Sequence, residues 1–437
     1  MPILHVIDPM LINQGGHFLS QHLALWHLCQ RKGYGMKSYT HVDFDESLMS
    51  AGVQVEKIFG DSVLLDMPGH YCVELGVSNA KCFEALMHID HTCFADSDIV
   101  FLTSMTASRA VAYGQWLRYC KLRARVGIYA TVSSEIEDTQ GRDIRRSGVE
   151  LSDASFSALE NVIVSNDLKR SMYRYLFDSI PDACAANYKV FYEEPFPNRG
   201  FLELCKNNDV SFVYLHSMYQ RIPILADGDD YVSDNLSHYP GGISPEKMNK
   251  RINIAYLGSG GVGHNSKGQH LIGDVISGIN RCHQGLSYSI QLSAVQEGEG
   301  YVSGETQGLK QLEDIQNLKL YLGMLSCNEY CNLIESSSIV LLPYGPRYRH
   351  IMSGIFDDCL FLGKICVTPA QSKMALWMER HNLDCPVFKT WDTEGVITAL
   401  EQAIINYDFY QSQFNAAQKI CRQRWERSNP ITVFDGS

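Results

Sequence analysis

The chain has 437 residues, of which 45% are hydrophobic and 20% charged, with a formal net charge of −12 at pH 7. That length suggests two or three domains, and the composition is that of a globular protein with sizeable cores. The acidic balance argues against a broad nucleic-acid-binding face, which needs a net positive surface, although local basic patches are compatible with it.

No apolar run approaches the roughly 20 residues that span a bilayer. The opening "MPILHVIDPML" has no charged leader and no small-residue cleavage site, so it reads as a first strand and not as a signal peptide. The 14 cysteines are scattered singly, without a C-x-x-C pair. Cys327 and Cys331 are spaced for one helix face, but no histidine pair completes a zinc set. Buried, reduced thiols in a cytoplasmic protein are the expected reading, and the Asn235-Leu236-Ser237 sequon then has no role.

Strand and helix signals alternate in two halves. In the first, "ILHVID" is followed by "GGHFLSQHLALWHLCQRKG", whose apolar residues Phe18, Leu19, Leu23, Leu25, Trp26 and Leu28 form a helical stripe that Gly33 closes. Strands are expected at 98–104, 124–132 and 161–166, with helices in "SRAVAYGQWLRYCKLR" and "DLKRSMYRYLF". Continuous apolar strands separated by helices predict a parallel sheet covered on both faces. This half, residues 1–198, ends where the two prolines of "EEPFPNRG" stop regular structure. Residues 199–250 read as a connection, although "DVSFVYLHS" has strand character. The second half, 251–405, restarts with "RINIAYLG". Further strands are expected at 288–295, 318–323, 338–344 and 364–370, and helices at 267–281, 326–336 and 354–362. From Thr393 onward the tail reads as helix almost throughout, and 406–437 is expected to cross back to the first domain. The predicted fold is α/β: two doubly wound, Rossmann-like domains facing a cleft, with ligands at the carboxyl ends of the strands.

The stretch "INIAYLGSGGVGHNSKGQHLIGDVI" poses the chemical question, because a strand runs into a glycine loop and then a lysine. A Walker loop needs lysine directly after its second glycine, but His264 follows Gly263 and Gln269 follows Gly268. Gly258, Gly260 and Gly263 spell G-x-G-x-x-G, yet the helix starts only near Lys267. The next strand also ends far beyond the roughly 20 residues at which a dinucleotide-binding acid belongs. The remaining phosphate reading is a nucleotide-sugar loop in which glycines admit a diphosphate, a helix N-terminus favours the anion and Lys267 adds charge. A plain turn with a surface lysine is the alternative.

Three consecutive stretches carry a family resemblance. They are the glycine loop with Lys267-Gly268, then "LKLYLGMLSCNEYCNLIESSSIVLLPY", then "YRHIMSGIFDDCLFLGKICVTP". In order and spacing the second half resembles the nucleotide-sugar domain of GT-B-fold glycosyltransferases, in particular the family-four-like group. The first half matches it loosely, through a strand, Gly15-Gly16 and a long helix. The resemblance implies a retaining, metal-independent transfer of a sugar from a nucleotide-diphosphate sugar to a glycan or other hydroxyl acceptor, with no cofactor. It places donor binding on Gly258, Gly260, Gly261, Lys267, Arg347, Arg349, Ser353, Gly354 and Asp358. Asp358 stands where the family has the second, ribose-gripping glutamate of its E-x7-E pair. His350 replaces the first glutamate, and the family's loop arginine is missing at Ser259, Gly260 and Gly261. His17 or Glu135, each after a strand of the first half, is a candidate general base. A lipid-linked acceptor and peripheral membrane contact are conceivable through "LKRSMYRYLF" and "QKICRQRWERS". Three rival readings stay open: a nucleotide-sugar epimerase, a non-catalytic glycosyltransferase-like subunit and a nicotinamide oxidoreductase.

Overall fold

In the computed structural model the apolar runs become two sheets, and every strand pairing in them is parallel. The structure describes residues 1–12, 18–60, 71–103, 107–130, 170–180, 182–192, 211–214, 252–258, 267–292, 312, 315–323, 325, 327–345, 348 and 352–436.

The first sheet contains β1 (Ile3–Ile7), β2 (Gly35–His41), β3 (Gln54–Phe59), β4 (Ile99–Leu102), β5 (Arg125–Ala130), β6 (Tyr188–Tyr192) and β7 (Ser211–Tyr214). Their order is β3-β2-β1-β4-β5-β6-β7. Helices α1 (Phe18–Lys32), α2 (Tyr71–Met87) and α3 (Ala107–Cys120) lie between strands in the chain. β4 is the simplest case of sequence dictating place: Ile99, Val100, Phe101 and Leu102 are all buried, as a strand covered on both faces requires.

The second sheet contains β8 (Asn253–Tyr256), β9 (Ser287–Leu292), β10 (Leu318–Leu322), β11 (Ile339–Leu341), β12 (Ile365–Pro369) and β13 (Val387–Phe388). Their order is β10-β9-β8-β11-β12-β13. Its helices are α4 (Gln269–Cys282), α5 (Cys327–Ser336), α6 (Gly354–Leu362), α7 (Lys373–Arg380) and α8 (Thr393–Ile405). The tail continues as α9 (Tyr407–Ser428) and α10 (Pro430–Asp435).

Several elements differ from expectation. β2 and β3 escape the apolar-run rule because they are polar. In β2, Ser38 and Thr40 are wholly buried, and Ser38 is satisfied by a side-chain partner. β7 falls within "DVSFVYLHS", the part of the expected connection with strand character, and forms the edge of the first sheet. The strand expected at 161–166 lies outside the described residues. The tail from Thr393 is helical as expected, with breaks at Asn406 and Asn429, so the segment 406–437 expected as one helix is two. Asn429 caps α10 by accepting from the Thr432 amide at 2.8 Å, and Pro430 occupies the first helical position, where it has no donor to lose.

Contacts divide the chain into one unit of Met1–His216 with Trp425–Ser437, and another of Ser217–Arg424. The segment expected as a single C-terminal helix, 406–437, is therefore shared between them. Within the first unit, Asp435 of α10 accepts from Tyr34 Oη at 2.6 Å and from Arg125 Nη1 at 2.8 Å. Lys189 Nζ donates to the Val433 carbonyl at 3.1 Å. Among the described residues no helix is long and apolar enough to cross a membrane.

Candidate functional site

In an open α/β sheet, ligands bind beyond the carboxyl ends of the strands where the strand order reverses. In the second sheet that point lies between β8 and β11: the chain leaves β8 towards β9 on one side, and β11 lines the other. The loops after these two strands, and the helix α6 that follows the second, carry the described members of the expected donor site.

The loop after β8 begins at Gly258 and re-enters the described structure at Lys267. Gly258 has φ +151°, a backbone conformation that favours glycine. A Cβ placed on it would lie 3.1 Å from Lys267 Cδ and 3.8 Å from Lys267 Nζ, so the lysine stem lies against the bare Cα. Tyr256, the last residue of β8, donates its hydroxyl to the Lys267 carbonyl at 3.4 Å. Gly268 then caps α4 in the left-handed region, with φ +73°. A Cβ there would stand 2.0 Å from the Pro343 carbonyl oxygen. The loop after β8 is thus docked directly on the loop after β11. That Pro343 carbonyl also accepts from Trp391 Nε1 at 2.9 Å.

The loop after β11 carries Tyr344, whose ring stacks on Tyr348 at 4.0 Å between centroids. Tyr344 Oη and Ser353 Oγ are 3.1 Å apart. Ser353 is the N-cap of α6 and accepts from the Phe356 amide at 3.4 Å. Burial, then the neighbouring Tyr348, pushes the phenols of Tyr256 and Tyr344 up, so both stay neutral. Both are buried, and their hydroxyls brace Lys267 and Ser353, so they support the two loops without adding charge to them.

Ser353→Ala removes the cap and the partner of Tyr344 together. A lost N-cap costs about 1 kcal/mol, and the stranded buried hydroxyl adds to it. The expected result is a destabilisation of about 1–3 kcal/mol in urea unfolding. A midpoint equal to wild type would mean that Ser353 does not cap α6 in solution.

Asp357 lies in the first turn of α6, while Asp358 opens the second turn, one residue later than the first-turn position expected for it. Both are buried, at 2% exposure. Tyr330 of α5 donates its hydroxyl to Asp358 Oδ2 at 2.6 Å. A ribose hydroxyl reaching this carboxylate would share it with Tyr330. Sequence reasoning missed Tyr330, because nothing local in "CNEYCNLIES" marks it as a carboxylate partner.

Of the expected site residues, Gly258, Lys267, Ser353, Gly354 and Asp358 are described, and all belong to the second unit. Gly258, Lys267, Ser353 and Gly354 lie in or directly after the loops following β8 and β11. His17, Glu135, Gly260, Gly261, Arg347, Arg349 and His350 lie outside the described residues.

The first sheet reverses its order between β1 and β4. Asp8, directly after β1, faces His22 of α1 at 3.2 Å, Oδ2 to Nε2. His22 Nδ1 in turn lies 3.0 Å from Ser38 Oγ of β2. All three residues are wholly buried. The aspartate, the histidine and the serine therefore pin the start of α1 to two strands. They are too enclosed to touch a substrate, and no sequence motif announced them. Next to His22, wholly buried Gln21 has no hydrogen-bond partner for either amide atom among the described residues. An unmet buried polar group costs about 1–3 kcal/mol. Gln21→Leu is expected to raise the free energy of unfolding by about 1–2 kcal/mol, read as a higher denaturant midpoint. An unchanged midpoint would mean that the amide has a partner in solution.

No protein-family model matches this chain, and no curated protein sequence does. Solved structures match over nearly its full length. Anabaena Alr3699/HepE, in complex with UDP and glucose, superposes with a TM-score of 0.56 at 11% identity, covering 100% of this chain and 98% of its own. A UDP-forming trehalose-phosphate synthase from Burkholderia xenovorans gives 0.57 at 9% identity, over 99% and 98% of the two chains. The fold is GT-B. A third GT-B neighbour, UDP-GlcNAc 2-epimerase from Neisseria meningitidis bound to UDP-GlcNAc, gives 0.52 at 11% identity, over 98% and 100%. At identities this low the likeness establishes the GT-B architecture alone.

Proposed function

We propose that this chain is a GT-B glycosyltransferase that takes its sugar from a UDP-sugar and passes it to a hydroxyl acceptor. The observation that carries the reading is the placement of Lys267 after β8 and of the Ser353-capped start of α6 after β11, the two strands that flank the reversal of the second sheet. A lysine and a helix N-terminus on adjacent loops suit a diphosphate leaving group. The GT-B neighbours support UDP as the nucleotide, since several of the solved complexes hold UDP or a UDP-sugar. The resemblance to the family-four-like group favours retention at the anomeric carbon without a metal. In that reaction the acceptor oxygen bonds to the anomeric carbon, the bond to the UDP oxygen breaks, and the acceptor proton leaves to a base. His17, Glu135 and His350 are the proposed catalytic residues, with Arg347, Arg349, Gly260 and Gly261 completing the donor set. A cytoplasmic location and a glycan or lipid-linked acceptor belong to the same reading.

A second reading is favoured by one specific observation: UDP-GlcNAc 2-epimerases also share this fold over nearly the whole chain. An epimerase turns over its nucleotide sugar alone, whereas a transferase needs an acceptor. Calorimetric titration with UDP, GDP, CDP and ADP tests the nucleotide. NMR of UDP-glucose and UDP-GlcNAc, with and without a panel of sugar acceptors, tests the reaction. UDP binding with acceptor-dependent loss of donor supports the transferase. Change of UDP-GlcNAc without acceptor supports the epimerase. UDP binding without any turnover would move the chain to the non-catalytic subunit class, to which His350 in place of an acid would belong.

A further inference from the structure

β9 lies between β8 and β10, and its penultimate residue is a glutamine in a largely buried strand. Gln291 is 5% exposed. Its Oε1 accepts from the Gly258 amide at 3.2 Å, and its Nε2 donates to the Gly323 carbonyl at 2.9 Å. One side chain of the middle strand thereby ties together the loops that follow the strands on either side of it.

The two ends of the amide are not interchangeable. The Gly323 carbonyl can only accept, and the Gly258 amide can only donate, so the partners determine the orientation. Gly323 is itself fastened to β9, because its amide donates to the Leu292 carbonyl at 2.8 Å. The Nε2 end is therefore anchored on a fixed point, and the Oε1 end is aimed at Gly258. Glutamate at this place would set a carboxylate against a carbonyl oxygen, and methionine would offer neither bond.

The consequence reaches Lys267. Gly258 is held at φ +151° by this bond, and the Lys267 stem lies against its Cα. The Gly258 amide, which sequence reasoning offered to a phosphate, is already committed to Gln291. We infer that Gln291 is a positioning residue of the donor site, which holds Gly258 so that Lys267 is presented to the diphosphate. This inference rests on the donor-site reading proposed above.

The test is calorimetric titration of wild type, Gln291→Met, Lys267→Ala and the double variant with UDP and with uridine. Wild type is expected to bind UDP more tightly than uridine. Gln291→Met should lower UDP affinity about tenfold and leave uridine within twofold, so the UDP-to-uridine ratio collapses. In the Lys267→Ala background the same change should have almost no further effect, because residues acting through one group are not additive. A general structural role would weaken both ligands alike, or would add its full effect to Lys267→Ala, and either result overturns the inference. Failure of wild type to bind UDP would sink the donor-site reading itself, which separates the two failures. Should Gln291→Met not fold, amide hydrogen exchange in wild type decides the matter. The Gly258 amide should exchange slowly without ligand, and free exchange there would refute the clamp.

Discussion

Gly268→Ala is expected to be the most damaging single-methyl change in the second unit, lowering its stability by about 3 kcal/mol or more and abolishing UDP binding. Two independent costs fall on one atom. The backbone at φ +73° disfavours any L side chain by about 1–2 kcal/mol. The added Cβ would also stand 2.0 Å from the Pro343 carbonyl oxygen, a backbone atom that no rotamer change can move. Relief requires the loop after β8 to part from the loop after β11. The Pro343 carbonyl would lose its position opposite Trp391 Nε1, now 2.9 Å away. The same separation would move Lys267, one residue back, away from the start of α6. Urea unfolding followed by tryptophan fluorescence checks the stability, and calorimetry with UDP checks the site. Retention of both would mean that the two loops are not docked through Gly268 in solution.

This double dependence explains what was legible in the chain and what was not. Apolar runs announced β1, β4, β5 and the strands from β8 to β12; all but the exposed edge strand β10 are buried strands that need such runs. The "KG" ahead of a helix and the serine ahead of "GIFDD" were legible as well, since capping and left-handed turns are local matters. β3 stayed hidden because it is mostly polar and only partly buried, and β2 because its buried polar groups are matched by distant partners. Ser38 is satisfied by His22, which is 16 residues away. Gln291 reaches Gly258 across 33 residues and Tyr330 reaches Asp358 across 28, so neither pairing leaves a local pattern. The second pairing also revises the role expected for Asp358. Its carboxylate is buried beneath a tyrosine hydroxyl, which makes it a tie between α5 and α6.

Lys267→Ala is expected to weaken UDP by about ten- to a hundredfold, the equivalent of one charge-assisted hydrogen bond of about 1.5–3 kcal/mol. The fold should tolerate the change. Lys267 is held through its backbone, where its carbonyl accepts from Tyr256 and Gly268 follows it in the left-handed turn, and alanine keeps both. The loss should therefore appear in binding with little change in unfolding midpoint, the opposite of the pattern for Gly268→Ala. It should also be selective for phosphate, because uridine carries no negative charge for the ammonium to meet. Titrations of UDP, UMP and uridine at two salt concentrations make the distinction. If Lys267 meets the diphosphate, the variant binds UDP with a flatter salt dependence and binds uridine as wild type does. Equal affinity of both proteins for UDP would leave the lysine as a surface charge on an ordinary strand-to-helix turn.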